Sequence, residues 1–81
     1  MISVLILTKN EERDLPDCLR SVGWSDDIHV FDSHSTDRTV EIASEFGARV
    51  TTRRFDNWAE HQNWGLKNIP FRHPWVFYLD A

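Results

Sequence analysis

Four short apolar runs divide the chain, and a polar segment follows each of them. The runs are rich in Val, Ile, Leu and aromatic residues and show little alternation with polar residues. This pattern is typical of strands that are covered on both faces of a parallel sheet. We therefore predict four strands, over residues 2–7, 28–31, 48–52 and 75–79.

Helical patterns occupy the three intervals between these strands. In each interval a Thr, Asp or Asn stands where it can cap a helix N-terminus, and the first two helices are followed by Gly23 and Gly47. Apolar residues recur every three or four positions in the first two intervals and less regularly in the third. The predicted helices cover about residues 14–22, 36–46 and 57–67.

The resulting order, β-α-β-α-β-α-β, predicts an α/β fold with a three-layer, Rossmann-like parallel sheet and right-handed crossovers. In such a sheet the carboxyl ends of all strands lie along one edge, where ligands bind. Here those ends carry Thr8, Asp32, Arg53 with Arg54, and Asp80. We expect a ligand cleft at that edge. The alternative is a polar edge with no ligand, since strand ends are polar in many proteins.

Two of these strand ends carry carboxylates whose chemistry is specific. A fixed Asp32 can accept the imide N–H of uracil or guanine, or it can close an Asx-type turn before the next helix. A carboxylate at the end of a buried strand, such as Asp80, suits Mg²⁺ or Mn²⁺ bridging a diphosphate when a second carboxylate lies two residues further on. Arg53 and Arg54 either neutralise phosphate or are solvated at an edge strand.

Other polar and aromatic residues receive structural interpretations. The histidines and Cys18 lack the spacing of a zinc site, and His61 is interpreted as a surface or packing residue. Phe46 is expected to face inward. The aromatic residues of the C-terminal third are expected to be mostly core material, although one of them could stack on a base or a sugar: Trp58, Trp64, Phe71, Trp75, Phe77 and Tyr78.

Composition limits the class of protein. The chain has 81 residues, enough for one small domain, and 41% of them are hydrophobic, which excludes a disordered tail. Thirteen acidic and nine basic residues give a net charge of −4, which argues against a nucleic-acid surface. No apolar stretch is long enough for a membrane helix, and no basic leader follows Met1. The single Cys18 favours a reducing, cytoplasmic compartment.

Familiar phosphate-binding turns are missing from the sequence. Residues 8–13 contain no glycine, whereas dinucleotide folds and P-loops need glycine in that turn. Residues 32–36 are faintly similar to the Asp-x-Asp-x-Thr signature of haloacid-dehalogenase-like phosphatases. His34 replaces the second Asp of that signature, and the segment follows the second strand of the chain, not the first.

Four segments, taken in order, carry a more specific likeness. Residues 3–11 (Ser-Val-Leu-Ile-Leu-Thr-Lys-Asn-Glu) contain a strand and an Asn-Glu turn, and residues 30–39 are similar to the pattern V-D-D-x-S-x-D-x-T. Residues 62–66 contain Asn and Gly on a helix, and residues 77–81 match the first two-thirds of an Asp-x-Asp motif. The chain thus resembles the N-terminal part of family 2 glycosyltransferases, with the GT-A nucleotide-diphospho-sugar transferase fold. Within that family it looks most like bacterial enzymes of lipopolysaccharide-core and related glycan assembly.

The resemblance implies roles for individual residues. Thr8 and Glu11 would line the nucleotide pocket, Asp32 would hold the base, and Asp80 would contact the ribose or the metal. Ser33 replaces the second Asp of the family pattern, and Gln62 stands where a Lys or Arg is common. The implied reaction moves a sugar from a nucleotide-diphosphate donor to a glycan or lipid-linked acceptor, with inversion and with Mg²⁺ or Mn²⁺. It would take place in the cytoplasm or at the inner face of the cytoplasmic membrane.

The second Asp of the Asp-x-Asp motif would fall directly after Ala81. We therefore expect residues 1–81 to be the donor-nucleotide part of a transferase domain, truncated at that motif and inactive alone. The main metal ligand, the acceptor site and the catalytic base would lie outside it. The alternatives are a non-catalytic nucleotide-binding module and, less favoured, a haloacid-dehalogenase-like phosphatase.

Overall fold

The computed structural model describes the whole chain, residues 1–81, as seven alternating strands and helices. This order confirms the predicted one. None of the three helices has the length and apolar composition needed to cross a membrane. The strands are β1 (Ile2–Thr8), β2 (Ile28–Asp32), β3 (Arg49–Thr52) and β4 (Trp75–Asp80), and the helices are α1 (Leu15–Ser21), α2 (Thr39–Phe46) and α3 (Trp58–Asn68).

The helix starts show which predicted caps act as caps. The side chain of Asn57 accepts the backbone N–H of Glu60 at 2.9 Å, as predicted for the start of α3. Asp14 stands at the start of α1 but makes no side-chain capping bond. α2 begins three residues later than predicted, at Thr39, because Asp37 accepts the backbone N–H of Thr39 and holds the preceding turn.

The four strands form one parallel sheet in the order β3-β2-β1-β4. Two strands therefore lie on one side of β1, and β4 lies on the other. The buried residues of α1 and α2 pack on one face of the sheet, whereas the cluster that includes Ile69 and the half-buried Trp64 of α3 packs on the opposite face. The architecture is the predicted three-layer α/β sandwich, with β1 at its centre.

The apolar run in β1 supplies both halves of the core. Successive side chains of a strand point to opposite faces. Val4 and Ile6 therefore pack against α1 and α2, while Leu5 and Leu7 pack with Phe31 on the face of α3. A strand buried on both sides holds the polar residue at its end, Thr8, in one fixed position.

Several aromatic residues expected in the core are exposed instead. Trp75 is 73% exposed and Phe77 is 46% exposed; both lie on β4, one of the two outer strands, whose other face packs Val76 and Tyr78 against the core cluster that contains Phe31. Phe46 is also 42% exposed, at the last position of α2. The prediction that these three residues face inward is wrong.

A buried polar cluster fixes the amino ends of the strands. The carboxylate of Asp27 accepts hydrogen bonds from the hydroxyl of Ser3, from the backbone N–H of Arg72 and from the ring of His29, at 2.6, 2.7 and 2.8 Å. Burial acts to raise the pKa of Asp27, but these hydrogen bonds and the nearby His29 outweigh burial and lower it. The cluster ties the segment before β4 to β1, so it sets where β4 enters the sheet.

Candidate functional site

A cleft of about 630 Å³ opens at the carboxyl ends of the strands, next to the point where the strand order reverses. The helix after β1 and the helix before β4 lie on opposite faces of the sheet, which leaves a crevice between them. Such crevices are the usual ligand sites of open α/β sheets. The cleft is lined by the ends of β1 and β4, the turn after β2 and the start of α3, including Leu7, Thr8, Ser33, Trp58, His61 and Asp80.

The loops after β1 and β2 hold each other at the rim of the cleft. The ammonium group of Lys9 donates to the carbonyl oxygens of Ser33 and His34, at 3.0 and 2.9 Å. The side-chain oxygen of Asn10 accepts the backbone N–H of Thr36 at 2.7 Å. Asn10 and His34 have φ angles of 53° and 55°, in the left-handed region that Asn and His adopt more readily than most residues. The two loops therefore hold each other in place at the rim of the cleft.

Asp32 lies beneath the cleft and is not part of its lining. Its side chain is 0% exposed. One carboxylate oxygen accepts the hydroxyls of Thr8 and Ser35, both at 2.6 Å, and the other accepts the backbone N–H of Ser35 at 2.7 Å. This is the Asx-type turn that sequence reasoning gave as the alternative. Contact with a base would require the turn that covers this buried carboxylate to open.

The same burial bears on the phosphatase alternative. An aspartyl-phosphate mechanism needs a carboxylate that can reach a phosphorus atom. Asp32 is the residue that the phosphatase signature would use, and its oxygens are enclosed by Thr8 and Ser35. The geometry gives this alternative no accessible nucleophile at position 32.

His61 forms the back wall of the cleft and is fully buried. Its ring stacks on Phe31 with centroids 4.0 Å apart and planes 3° apart. Nε2 lies 3.3 Å from the hydroxyl oxygen of Ser33, and Nδ1 lies 3.2 Å from a guanidinium nitrogen of Arg53. Burial lowers the pKa of His61 and the charge of Arg53 lowers it further, against an opposing effect of Asp56. Burial and the charge of Arg53 therefore both favour the neutral imidazole.

The two neighbouring arginines have different surroundings. The guanidinium of Arg53 forms a two-pronged ion pair with Asp56, with both N–O distances at 3.0 Å, and lies 5.5 Å from the centre of the Trp64 ring. This hydrogen bonding, with a further bond from the backbone of Asn57, lowers the pKa of Asp56 to about 2. Arg53 is outside the cleft lining, whereas Arg54 is exposed and lines it. Of the two predicted phosphate contacts, only Arg54 is placed to meet a ligand.

Asp80 and Glu11 bring negative charge to the cleft. Asp80 is exposed at the end of β4, and the hydroxyl of Tyr78 donates to it over 3.5 Å. Burial and then the neighbouring Asp80 charge raise the pKa of Tyr78. Register places Asp80 beside Leu7, one residue before the end of β1. The structure therefore brings the predicted Thr8, Glu11 and Asp80 to one cleft.

Phe55 and Trp58 give the cleft an apolar wall. Their ring centroids are 6.2 Å apart, and the two side chains are 46% and 51% exposed. Phe55 also lies 5.3 Å from the ring of His61. Exposed aromatic faces beside polar groups suit a flat ring such as a nucleobase. A place in this wall accounts for the exposure of Trp58, which was expected in the core.

The comparison with known protein families agrees with this geometry. The family model described as glycosyl transferase family 2 matches residues 3–81. The chain belongs to glycosyl transferase family 2. The match covers β1, the turn after β2, α3 and β4, which contain the four segments of the resemblance.

Named relatives of this family 2 chain are bacterial glycosyltransferases. It is 44% identical over 59 residues to the 4,4'-diaponeurosporenoate glycosyltransferase of Staphylococcus haemolyticus, covering 69% of this chain and 16% of that protein. It is 43% identical over 81 residues to a Rickettsia felis protein named as an uncharacterized glycosyltransferase, covering 99% of this chain and 28% of the relative. The chain thus spans between about one sixth and about one quarter of the length of these relatives.

A solved structure shares the fold of the family 2 chain. Glucosyl-3-phosphoglycerate synthase from Mycobacterium tuberculosis, solved in complex with uridine diphosphate, matches with a TM-score of 0.59 and 35% identity. The match covers 64% of this chain and 21% of that one. The predicted GT-A type of α/β fold is confirmed by this likeness.

Sequence reasoning did not assign Ser33, Phe55 or His61 to the cleft, although packing was one of the two interpretations of His61. Ser33 follows the last residue of β2, so its side chain points to the opposite face from that of Asp32. One signal was available, since Ser33 stands at the second acidic position of the family pattern. No sequence signal indicated that Phe55 and His61 would meet at the cleft.

Proposed function

We propose that the intact protein transfers a sugar from a nucleotide-diphosphate sugar to a glycan or lipid-linked acceptor, with inversion. The observation that carries the proposal is the cleft at the ends of β1, β2 and β4 in a chain of family 2. The neighbour that shares this fold was solved with uridine diphosphate. Because the chain spans only part of its relatives, the proposal concerns the intact protein, with residues 1–81 forming the donor-nucleotide part.

The cleft supports a definite orientation for the donor. The base packs against the wall formed by Phe55 and Trp58, close to Ser33. The diphosphate lies nearer Arg54, an exposed cation of the cleft lining. Glu11 is placed to accept a ribose hydroxyl, since a carboxylate accepts hydrogen bonds from hydroxyl groups. Asp32 acts indirectly in this arrangement, because it fixes the turn that carries Ser33.

A divalent cation fits the chemistry of Asp80. Mg²⁺ and Mn²⁺ prefer oxygen ligands and are commonly held by one or two carboxylates together with substrate phosphates. Asp80 is an exposed carboxylate at the mouth of the cleft, and no group of three His, Cys, Asp or Glu side chains in the chain forms a metal site without substrate. We propose Asp80 as one ligand of a cation that binds together with the diphosphate. When bound, the cation would neutralise charge on the departing diphosphate.

The reaction itself exchanges one bond at the anomeric carbon. The acceptor oxygen forms a bond to that carbon, the bond to the diphosphate oxygen breaks, and the diphosphate leaves with the electron pair. The proton of the acceptor hydroxyl passes to a general base. We assign that base to no residue of this chain. The residues of the cleft bind and orient the donor, and the aromatic wall excludes water from one side of it.

The test is a titration of the intact protein with UDP, GDP and ADP sugars, each with and without Mn²⁺. We expect one donor to bind at micromolar concentration, more tightly with the metal, and to be turned over with release of its nucleoside diphosphate when acceptor is added. Failure of all three to bind would contradict the proposal. Metal-dependent binding without any turnover would instead support the non-catalytic module.

A cytoplasmic location is part of the proposal. The half-buried Cys18 is a free thiol, which fits a reducing compartment. An association with the inner face of the membrane, and with lipopolysaccharide-core assembly, rests on the resemblance alone. Fractionation of cells that express the intact protein would test the location.

A further inference from the structure

A chain of hydrogen bonds leads from Arg53, outside the cleft, to Ser33, in its lining. Arg53 lies 3.2 Å from Nδ1 of His61, and Nε2 of the same ring lies 3.3 Å from the hydroxyl oxygen of Ser33. His61 cannot turn away, because its ring is stacked on the buried Phe31. We call this set, Arg53, His61 and Ser33, the Arg-His-Ser relay.

The chemistry of arginine fixes the direction of every bond in the relay. A guanidinium group has hydrogen-bond donors and no acceptor. Nδ1 of His61 must therefore accept from Arg53, so the proton of the neutral ring is on Nε2. The asymmetry of the neutral imidazole then makes Nε2–H the donor to the oxygen of Ser33. Asp56 holds Arg53 in place with two bonds at 3.0 Å.

The relay leaves one proton without a partner inside the protein. Since the oxygen of Ser33 accepts from His61, the hydroxyl hydrogen of Ser33 is free to donate, and this side chain makes no other hydrogen bond in the structure. The nearby carbonyl oxygens of Ser33 and His34 already accept from Lys9. Ser33 lines the cleft, so the remaining direction for its proton is toward a ligand.

We infer that Ser33 donates a hydrogen bond to an acceptor atom of the nucleotide base, and that Arg53 is a positioning residue that sets this direction through His61. The inference rests on the proposed function and adds which side donates the hydrogen bond, the protein or the base. An acidic residue at this place would read a base N–H, whereas Ser33 in the relay reads a carbonyl oxygen or a ring nitrogen. The sequence difference at position 33 thus changes which edge of a base the site prefers.

The test combines two variants of the intact protein, Ser33→Ala and Arg53→Met, with their double variant. The probe is whichever of UDP, GDP and ADP binds the unmodified protein most tightly. We expect Ser33→Ala to weaken binding about threefold to tenfold, the loss typical of one neutral hydrogen bond. Arg53→Met should weaken it about twofold to fivefold, although Arg53 touches no ligand. In the Ser33→Ala background, Arg53→Met should have no further effect, because the group it positions is gone.

Arg20→Met is the matched control, since it removes an exposed guanidinium that is paired with Asp17 on α1, away from the cleft lining. It should keep nucleotide affinity within about twofold of the unmodified protein. Long-range ¹H–¹⁵N NMR of the His61 ring gives an independent measurement and should show the proton on Nε2. A proton on Nδ1, or additive effects of the two substitutions, would overturn the relay. If no nucleotide binds the unmodified protein, the proposed function fails first, which is a distinguishable result.

Discussion

Replacing Asp32 tests whether this residue holds the turn beneath the cleft or contacts the ligand itself. Asp32→Ala removes an acceptor used by two hydroxyls and one backbone N–H. The amide of Ser35 is left without an acceptor, at a cost of about 1–3 kcal/mol, and each hydroxyl loses about 0.5–1.5 kcal/mol. We expect a total loss of about 3–4 kcal/mol in the local free energy of opening, within the range these contributions allow.

Asp32→Asn is the matched, nearly isosteric variant. Its amide oxygen can still accept the N–H of Ser35, while its NH₂ group donates to the hydroxyls of Thr8 and Ser35, which can rotate to accept. The expected loss is therefore smaller, about 1–2 kcal/mol. If Asp32 holds the turn, nucleotide affinity in this variant should stay within about threefold of the unmodified protein.

The assay is amide hydrogen exchange of the intact protein, paired with nucleotide titration. Since each 1.4 kcal/mol is about a tenfold change in an equilibrium constant, protection of the Ser35 amide should fall roughly a hundredfold or more in Asp32→Ala. In Asp32→Asn it should fall roughly tenfold. Unchanged protection together with a large loss of nucleotide affinity in Asp32→Asn would refute the turn-closing role and support direct contact with the base.

Three further predictions test the packing, the titration and the metal chemistry of the site. Gly65→Ala should destabilise the protein by about 1 kcal/mol, because the added Cβ would lie 2.9 Å from the buried ring of Phe31. Denaturant unfolding measures this change, and an unchanged free energy of unfolding would show that the ring moves aside. His61 has a pKa that is lowered in the folded state, so its contribution to stability is complete above its ordinary pKa of 6.5 and is lost as the pH falls through the folded value. Unfolding between pH 7 and pH 5 should therefore depend less on pH in His61→Gln, and an unchanged slope would contradict the assignment. Asp80→Asn should remove most of the effect of Mn²⁺ on nucleotide affinity while leaving metal-free binding nearly unchanged. Calorimetry with and without Mn²⁺ measures both affinities, and an undiminished metal effect would exclude Asp80 as a ligand.

The order of elements could be predicted from the sequence because the apolar runs are short, dense and separated by capping residues. The strand order could not. Nothing in the pattern of β4 specifies that it pairs with β1 and not with β3, since that choice depends on which face α3 covers. The strand order creates the crevice, so the position of the cleft follows from packing, which local sequence patterns do not encode.

The candidate site was predicted in part for a related reason. Parallel strands bring their carboxyl ends together, so Thr8 and Asp80 could be assigned to one edge without a structure, whereas Glu11 was assigned to the pocket by the family resemblance. Which side chain faces the ligand depends on single-residue alternation at the strand end. Asp32 and Ser33 are adjacent in sequence, yet one is buried under the turn and the other lines the cleft. Composition also could not show that Trp58 and Trp75 would be exposed, because an apolar residue of an edge strand or a cleft wall has the same sequence signal as a core residue.

The most direct test is a structure of the intact protein bound to a nucleotide-diphosphate sugar with Mn²⁺. A family 2 glycosyltransferase with this donor site should hold the base against Phe55 and Trp58, within hydrogen-bond distance of Ser33. The diphosphate and the metal should lie between Arg54 and Asp80. A nucleotide bound elsewhere on the molecule, with this cleft filled only by water, would contradict the account.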